Sequence, residues 1–306
     1  MKNCYEEISD PKDFISKTIT RIRQGEKKKL KAIWLETSEC FGEVISLLNA
    51  EDPDIVYWLT EMVDCTFYNS IMGNQGETAI QGILDTIDSG EDYLFITSGA
   101  IPRAENGNCT IIGSYQGKKL TSMEFTKRVA ERAQMILAVG TCASFGGPTA
   151  AKPNITEAVS VQQFLNREVI HAPGCPANPV WILGIFAYII NYGMPDLDEE
   201  GRPLAFYSKT IHRHCPRQSF FGKKQFATKF GQEECMIALG CRGPVTKTLC
   251  PFTRWNDSDN WPIGDNTTCI GCANKGFPDE MQPFVKYGED ENKKGEGQSG
   301  GSNNTN

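Results

Sequence analysis

The sequence predicts an α/β domain on a mostly parallel sheet, followed by an irregular segment that needs metal to hold its shape. Three observations carry this. Apolar runs recur at 31–36, 54–59, 92–99, 135–140 and 168–174. Helix-like stretches at 43–50, 74–89 and 121–133 lie between them, and "ETAIQGILDTI" (77–87) spaces its apolar residues at a helical period. Strand–helix alternation with short connections implies parallel strands covered on both faces. Beyond residue 195 the texture changes, and 196–285 is rich in Cys, Gly, Pro, Trp and Asn with little periodicity. Such a stretch cannot bury enough apolar surface unaided.

Taken in order, residues 1–28 are a charged N-terminal extension, and "KKKLK" (27–31) reads as a solvated run. Residues 29–195 form the α/β domain, closed by "PANPVWILGIFAYIINYGMP" (176–195), a buried helix opened by Pro and ended by Gly-Met-Pro. Residues 196–285 form the metal-dependent domain, and 286–306 a polar, low-complexity tail expected to be disordered.

The chain has 306 residues, 40% hydrophobic and 23% charged, a globular composition. A net charge of −7 argues against nucleic acid as a partner. The longest apolar stretch, 180–193, is too short to span a bilayer. The opening residues show neither the apolar core of a signal peptide nor twin arginines. The expected location is therefore the cytoplasm, or the cytoplasmic side of a membrane through a partner.

Twelve cysteines, in a protein read as cytoplasmic, suggest metal rather than disulfides. Cys4, Cys65 and Cys109 stand alone and are expected to be simply buried. Cys40, Cys142 and Cys175 each follow an apolar run within six residues. They therefore point to one edge of the sheet, beyond the carboxyl ends of the strands, where such sheets bind ligands. "VGTCASFGG" (139–147) and "APGCPANP" (172–179) set their thiols in tight Gly/Pro turns whose N–H groups can meet cluster sulfurs.

The second half offers two further sets. His212, Cys215, Cys235 and Cys241 supply one imidazole and three thiolates, enough for one cluster or one zinc. Cys250, Cys269 and Cys272 have no fourth Cys or His downstream. That leaves a tetrahedral zinc one ligand short and suits a cluster lacking one iron corner. His214, one residue before Cys215, is the poorer imidazole, and His171 reads as a core histidine.

The segments "WLETSEC", "SGAIP", "GTCASFGG", "PGCPANP", "HRHCPR", "LGCRGPVTKTLCP", "RWN" and "CIGC" occur in this order over roughly 30–280. As an ordered set they resemble the small, electron-transferring subunit of NiFe hydrogenases. The resemblance implies a flavodoxin-like N-terminal domain and an irregular Fe–S C-terminal domain. It implies a proximal cluster on Cys40, Cys142 and Cys175, a distal four-iron cluster on His212, Cys215, Cys235 and Cys241, and a medial three-iron cluster on Cys250, Cys269 and Cys272. It also sets Glu39 near the subunit boundary, as a candidate for a proton path.

One departure stands out. Many members of the family read C-x-G-C where this chain reads Cys40-Phe41-Gly42-Glu43. Three outcomes follow: Glu43 gives an oxygen ligand to a four-iron proximal cluster, the favoured reading; the site holds three irons; or another thiol, such as Cys65, completes it. A carboxylate is a harder ligand than thiolate and changes cluster charge.

With a single C-x-x-C, the chain carries no nickel site. The resemblance implies a large partner subunit with the Ni–Fe centre, where H₂ is split. Electrons then pass through the three clusters to a cytochrome, a quinone-linked protein or another Fe–S protein, and the assembly can extend to an oligomer of heterodimers. The alternatives are a hydrogen-sensing complex built on the same clusters, a zinc-stabilised adaptor, and a cluster subunit of a respiratory NADH or quinone complex. The His-and-Cys segment at the C-terminal end argues against the last.

Overall fold

A computed structural model of the chain describes residues 10–281. The expected polar tail and Cys4 lie outside the described residues. The first half runs α1 (Pro11–Arg23), β1 (Leu30–Glu36), α2 (Gly42–Leu48), α3 (Ile55–Tyr57), β2 (Val63–Tyr68), α4 (Gly76–Asp88), β3 (Leu94–Ser98), β4 (Ile111–Tyr115), β5 (Lys118–Thr121) and α5 (Ser122–Arg132). The second half runs β6 (Met135–Val139), α6 (Gly140–Phe145), α7 (Val161–Leu165), β7 (Ile170–Ala172), α8 (Pro179–Tyr192), α9 (Leu204–Tyr207), α10 (Gln218–Gly222) and α11 (Cys250–Thr253).

Five strands form a wholly parallel sheet in the order β2-β1-β3-β6-β7. Numbered by themselves along the chain, these strands stand 2-1-3-4-5, the doubly wound order of flavodoxin-like folds. β4 and β5 pair separately as an antiparallel hairpin, an element absent from the sequence reading.

The sequence expectation of a strand at 54–59 is corrected. Those residues enter α3 and a wide helical turn over Trp58–Met62, and the strand is Val63–Tyr68. Asp54 caps the turn by accepting from the Tyr57 N–H at 3.0 Å. Val56 and Tyr57 are exposed while Trp58 is fully buried. The run "DIVYWL" thus has the face pattern of a helix.

The other elements follow local chemistry. Asp10 caps α1, with Pro11 in its first turn. Thr121 and Glu124 form a capping box at the start of α5. Asn178 caps α8, Pro179 opens it and Gly193 ends it. Every residue of α8 from Pro179 to Ile190 is buried, as expected of a helix apolar on all sides. Residues 11–23, read in sequence within an N-terminal extension, lie as α1 against α8. The Arg21 guanidinium donates to Asn191 Oδ1, and Lys27 Nζ to the Asn191 carbonyl.

A continuous apolar cluster links Trp34 and Tyr68 of the sheet, α8, and Ile211, Met236, Cys250, Trp261 and Cys269 of the irregular half. No described helix is long and apolar enough to cross a membrane.

Candidate metal centres

β1, β6 and β7 end at Glu36, Val139 and Ala172. Cys40, Cys142 and Cys175 follow within four residues, all at the carboxyl edge. The loops after β6 and β7 are tied together. Thr141 N–H donates to the Gly174 carbonyl at 2.8 Å, and Gly174 N–H to Thr141 Oγ1 at 3.0 Å. Thr141 Oγ1 also donates to the Cys272 carbonyl, joining this edge to the C-terminal cysteines.

Glu43 lies beside this group, close enough for its charge to act on the thiols of Cys142 and Cys175. It is 6% exposed, and its carboxyl lies against Gly140, whose φ is +83°. Burial raises its pKa to about 7, opposed by the Ala177 backbone N–H. It is in no ion pair among the described residues. A buried carboxylate with no cation needs another positive partner.

Cys65 cannot complete the site. It pairs with Ala32, near the opposite end of β1 from Glu36, about 13 Å along the strand. Its thiol donates to the Phe67 carbonyl, and burial raises its pKa to about 12. The expectation of burial is corrected for Cys109, which is exposed in the loop between β3 and β4 with its thiol 3.6 Å from the Ala104 carbonyl.

Glu39, half-buried, has its Oε1 bonded by Ser98 Oγ at 2.8 Å, and Ser98 Oγ in turn accepts from Trp34 Nε1 at 3.0 Å. Its Oε2 is buried without a partner. Burial, then the nearby Glu43 charge, raises its pKa to about 8 against the Ser98 bond. Glu36, also buried, accepts from Ser70 Oγ at 2.9 Å.

Two enclosed cavities hold the other sets. One is lined by His212, Cys215, Cys235 and Cys241 with Arg217 and Ile263. The other is lined by Cys250, Cys269 and Cys272 with Thr246, Thr248, Trp255 and Trp261. His214 does not line the first; its ring stacks edge-on against Phe252 at 4.7 Å. His171 is 2% exposed, bonded through Nε2 to Gln162 at 2.6 Å and stacked on Phe145, the core role expected of it.

Sequence reasoning missed the groups that serve these sulfurs. Thr149 Oγ1 donates to Cys142 Sγ at 3.3 Å and Thr248 Oγ1 to Cys250 Sγ at 3.2 Å. Gly271 N–H donates to Cys269 Sγ at 3.4 Å. Trp255 Nε1 is buried beside the Cys250 cavity, close enough to the Cys250 sulfur to favour its thiolate. The threonines of "GPVTKTLC" were the available signal: hydroxyls spaced two apart beside a cysteine.

These donors fit iron–sulfur clusters better than single ions. Among the described residues no three Cys, His, Asp or Glu side chains converge on one ion, as a zinc with Zn–S bonds of about 2.3 Å requires. They border cavities instead, and Trp255 directs its indole N–H to the Cys250 sulfur, as a cluster thiolate requires. Burial pushes the thiols of Cys175, Cys250, Cys269 and Cys272 up to about 12. Without a cation they stay protonated, so loading must release protons.

The chain's C-terminal part, residues 207–285, matches the family model for the C-terminal region of NiFe/NiFeSe hydrogenase small subunits. Residues 40–189 match the model for the 20 kDa subunit of NADH ubiquinone oxidoreductase. The periplasmic NiFe hydrogenase small subunit of Solidesulfovibrio fructosivorans is 33% identical over 267 residues, covering 86% of this chain and 83% of that one. The periplasmic NiFeSe hydrogenase small subunit of Desulfomicrobium baculatum is 34% identical, covering 84% and 87%. A solved NiFeSe hydrogenase structure from Desulfomicrobium baculatum superposes with a TM-score of 0.79 at 34% identity, over 85% of this chain and 99% of that one.

The cytoplasmic expectation is overturned by these relatives, which are periplasmic subunits. It rested on the short apolar stretch 180–193 and on the opening residues, which carry no signal-peptide pattern. The chain belongs to the small-subunit family of NiFe hydrogenases: it is the iron–sulfur, electron-transfer component of an oxidoreductase completed by a large subunit.

Proposed function

We propose that this subunit holds three clusters in a line and relays electrons released from H₂ on the large subunit to an external redox protein. Cys40, Cys142, Cys175 and Glu43 would hold the proximal cluster, of four irons with an oxygen ligand. Cys250, Cys269 and Cys272 would hold a medial three-iron cluster, and His212, Cys215, Cys235 and Cys241 a distal four-iron cluster. Bound there, such clusters supply one-electron redox steps at potentials set by ligand type and hydrogen bonding.

The observation that carries this reading is the order of the sets in space. Cys272 is tied through its carbonyl to Thr141, beside Cys142, and its thiol feels the Glu43 charge. Cys269, in the same set, accepts at its carbonyl from Arg242 N–H at 2.8 Å, next to Cys241. The medial set therefore bridges the other two. The chain itself fixes the ligands on short loops, excludes water by burial, and tunes the sulfurs with Thr149, Thr248 and Trp255. The domain division at 195/196 follows the same logic, the sheet edge serving one cluster and the irregular half two.

Phe41, Ile45 and Leu48 are each more than half exposed beside Cys40. They project at helical spacing from the start of α2 and make an apolar face for the large subunit. Glu39, in the same loop and linked to Ser98, is suited to pass a proton at that boundary.

The test is anaerobic purification with the large subunit, followed by iron and sulfide counts and EPR. About ten to twelve irons per small subunit are expected, at roughly three or four per cluster. Zinc without inorganic sulfide would overturn the reading. Turnover with an artificial acceptor separates an uptake enzyme from a hydrogen sensor.

A further inference from the structure

The chain carries a net charge of −7, yet residues 208–232 contain six Lys or Arg and no Asp or Glu. Arg217 is internal; its guanidinium donates to the carbonyls of Gln232 and Glu234 and to Asn266 Oδ1. The other five, Lys209, Arg213, Lys223, Lys224 and Lys229, are exposed. None of the five is in an ion pair among the described residues. The nearest acids along the chain are Glu233 and Glu234, just before Cys235.

This charge surrounds an aromatic cluster that begins at a candidate distal ligand. The His212 ring meets Phe221 edge-on at 4.6 Å, and Phe221 meets Phe226 at 6.1 Å. Phe221, Phe226 and Phe230 are 40%, 39% and 43% exposed. The loop that bears them is stitched to Cys235. Ala227 N–H donates to the Cys235 carbonyl at 2.9 Å, and Cys235 N–H to the Gln225 carbonyl at 3.2 Å. Gln232 Oε1 holds the Thr228 and Lys229 N–H groups at 2.7 and 3.0 Å.

From this arrangement, and resting on the relay reading above, we infer that residues 209–230 form the docking site for an acidic one-electron carrier protein. A basic rim around an apolar centre steers an oppositely charged partner and then desolvates the contact. The centre here is the covering of His212, so a docked carrier lies against the end of the relay. Each carrier takes one electron; two are reduced for each H₂ oxidised on the large subunit, where the two protons are released. An anionic membrane would meet the same charges, but no long amphipathic helix presents them: α10 has five residues.

The test uses the loaded heterodimer and one haem protein with two surfaces: native cytochrome c, which is basic, and succinylated cytochrome c, which is acidic. The wild type should show a KM for the succinylated form about tenfold or more below that for the native form. The preference should fade as ionic strength rises from about 20 to 300 mM. The triple variant K223E/K224E/K229E should reverse the preference while H₂-driven viologen reduction stays unchanged.

Equal use of both forms by the wild type, or preference for the native one, would overturn the proposal. So would salt-sensitive binding to phosphatidylserine vesicles without discrimination between the cytochromes, which would assign the patch to lipid. If the charge-reversed protein loses viologen activity, the milder K223Q/K224Q/K229Q variant takes its place, with a reduced preference expected. No viologen reduction by the wild type would sink the relay reading itself, and the docking site with it.

Discussion

Glu43 and Gly140 interlock: the Glu43 carboxyl fills the space that a side chain on residue 140 would need. Gly140 also has φ +83°, a region costly for residues with a Cβ. Gly140, two residues before Cys142, is thus a condition for the Glu43 carboxyl to lie where it does.

Two substitutions test this pair. Gly140→Ala should cost about 2 kcal/mol or more through backbone strain and displacement of the carboxyl, read as a lower unfolding midpoint of the complex. It should also selectively reduce the proximal EPR signal. Glu43→Cys should convert an oxygen-ligated four-iron signal into that of an all-thiolate four-iron cluster at unchanged iron content, or add one iron where the wild-type cluster holds three. Identical spectra for wild type and Glu43→Cys would remove Glu43 from the ligand set.

The medial set offers a test of tuning. Thr248 Oγ1 donates to Cys250 Sγ, and such bonds stabilise the more negative, reduced state. Thr248→Val keeps the shape and removes the donor. The medial potential should fall by about 40 mV, the one-electron equivalent of a hydrogen bond of about 1 kcal/mol. A potentiometric EPR titration reads it, and an unchanged midpoint would show that the hydroxyl does not act on the cluster.

Much of this was legible before any coordinates. Cys40, Cys142 and Cys175 could be placed on one edge because each follows an apolar run, and parallel strands put all their carboxyl ends on one side. His212 could be preferred to His214 from spacing, and it is His212 that lines a cavity with Cys215, Cys235 and Cys241. The misses have physical causes. "DIVYWL" and "VDCTFY" are both short apolar runs, and periodicity does not separate a strand from a helical turn at that length. The cap at Asp54 did carry the distinction. The roles of Thr149, Trp255 and Phe221 depend on contacts between distant segments, to which local patterning is blind.

Asp198 and Arg202 make a buried, two-bond ion pair in the irregular half. The Asp198 Oδ2 accepts from Arg202 Nε at 3.0 Å and Nη2 at 2.7 Å, and both side chains are 6% exposed. The turn between them docks on the sheet, since His171 N–H donates to the Gly201 carbonyl at 2.8 Å. Asp198→Ala leaves a buried guanidinium unpaired, which should cost about 3–5 kcal/mol. Chemical unfolding of the complex should show that loss, while Lys275→Ala, which removes the exposed partner of Glu200, should cost less than about 1 kcal/mol.

His171 predicts an acid sensitivity on the same side of the sheet. Burial lowers its pKa from 6.5 to about 4, so the folded state holds it neutral where the unfolded chain protonates it. The unfolded state binds more protons between about pH 6.5 and 4, and stability must fall as pH drops through that window. The full difference of about 2.5 units corresponds to about 3 kcal/mol. His171→Gln keeps a polar side chain and removes the titration. The gap in unfolding midpoint between wild type and variant should therefore change by several degrees between pH 7.5 and 5. A gap that stays constant over that range would mean that His171 is protonated equally in both states, and that its burial against Phe145 and Gln162 does not exclude the proton.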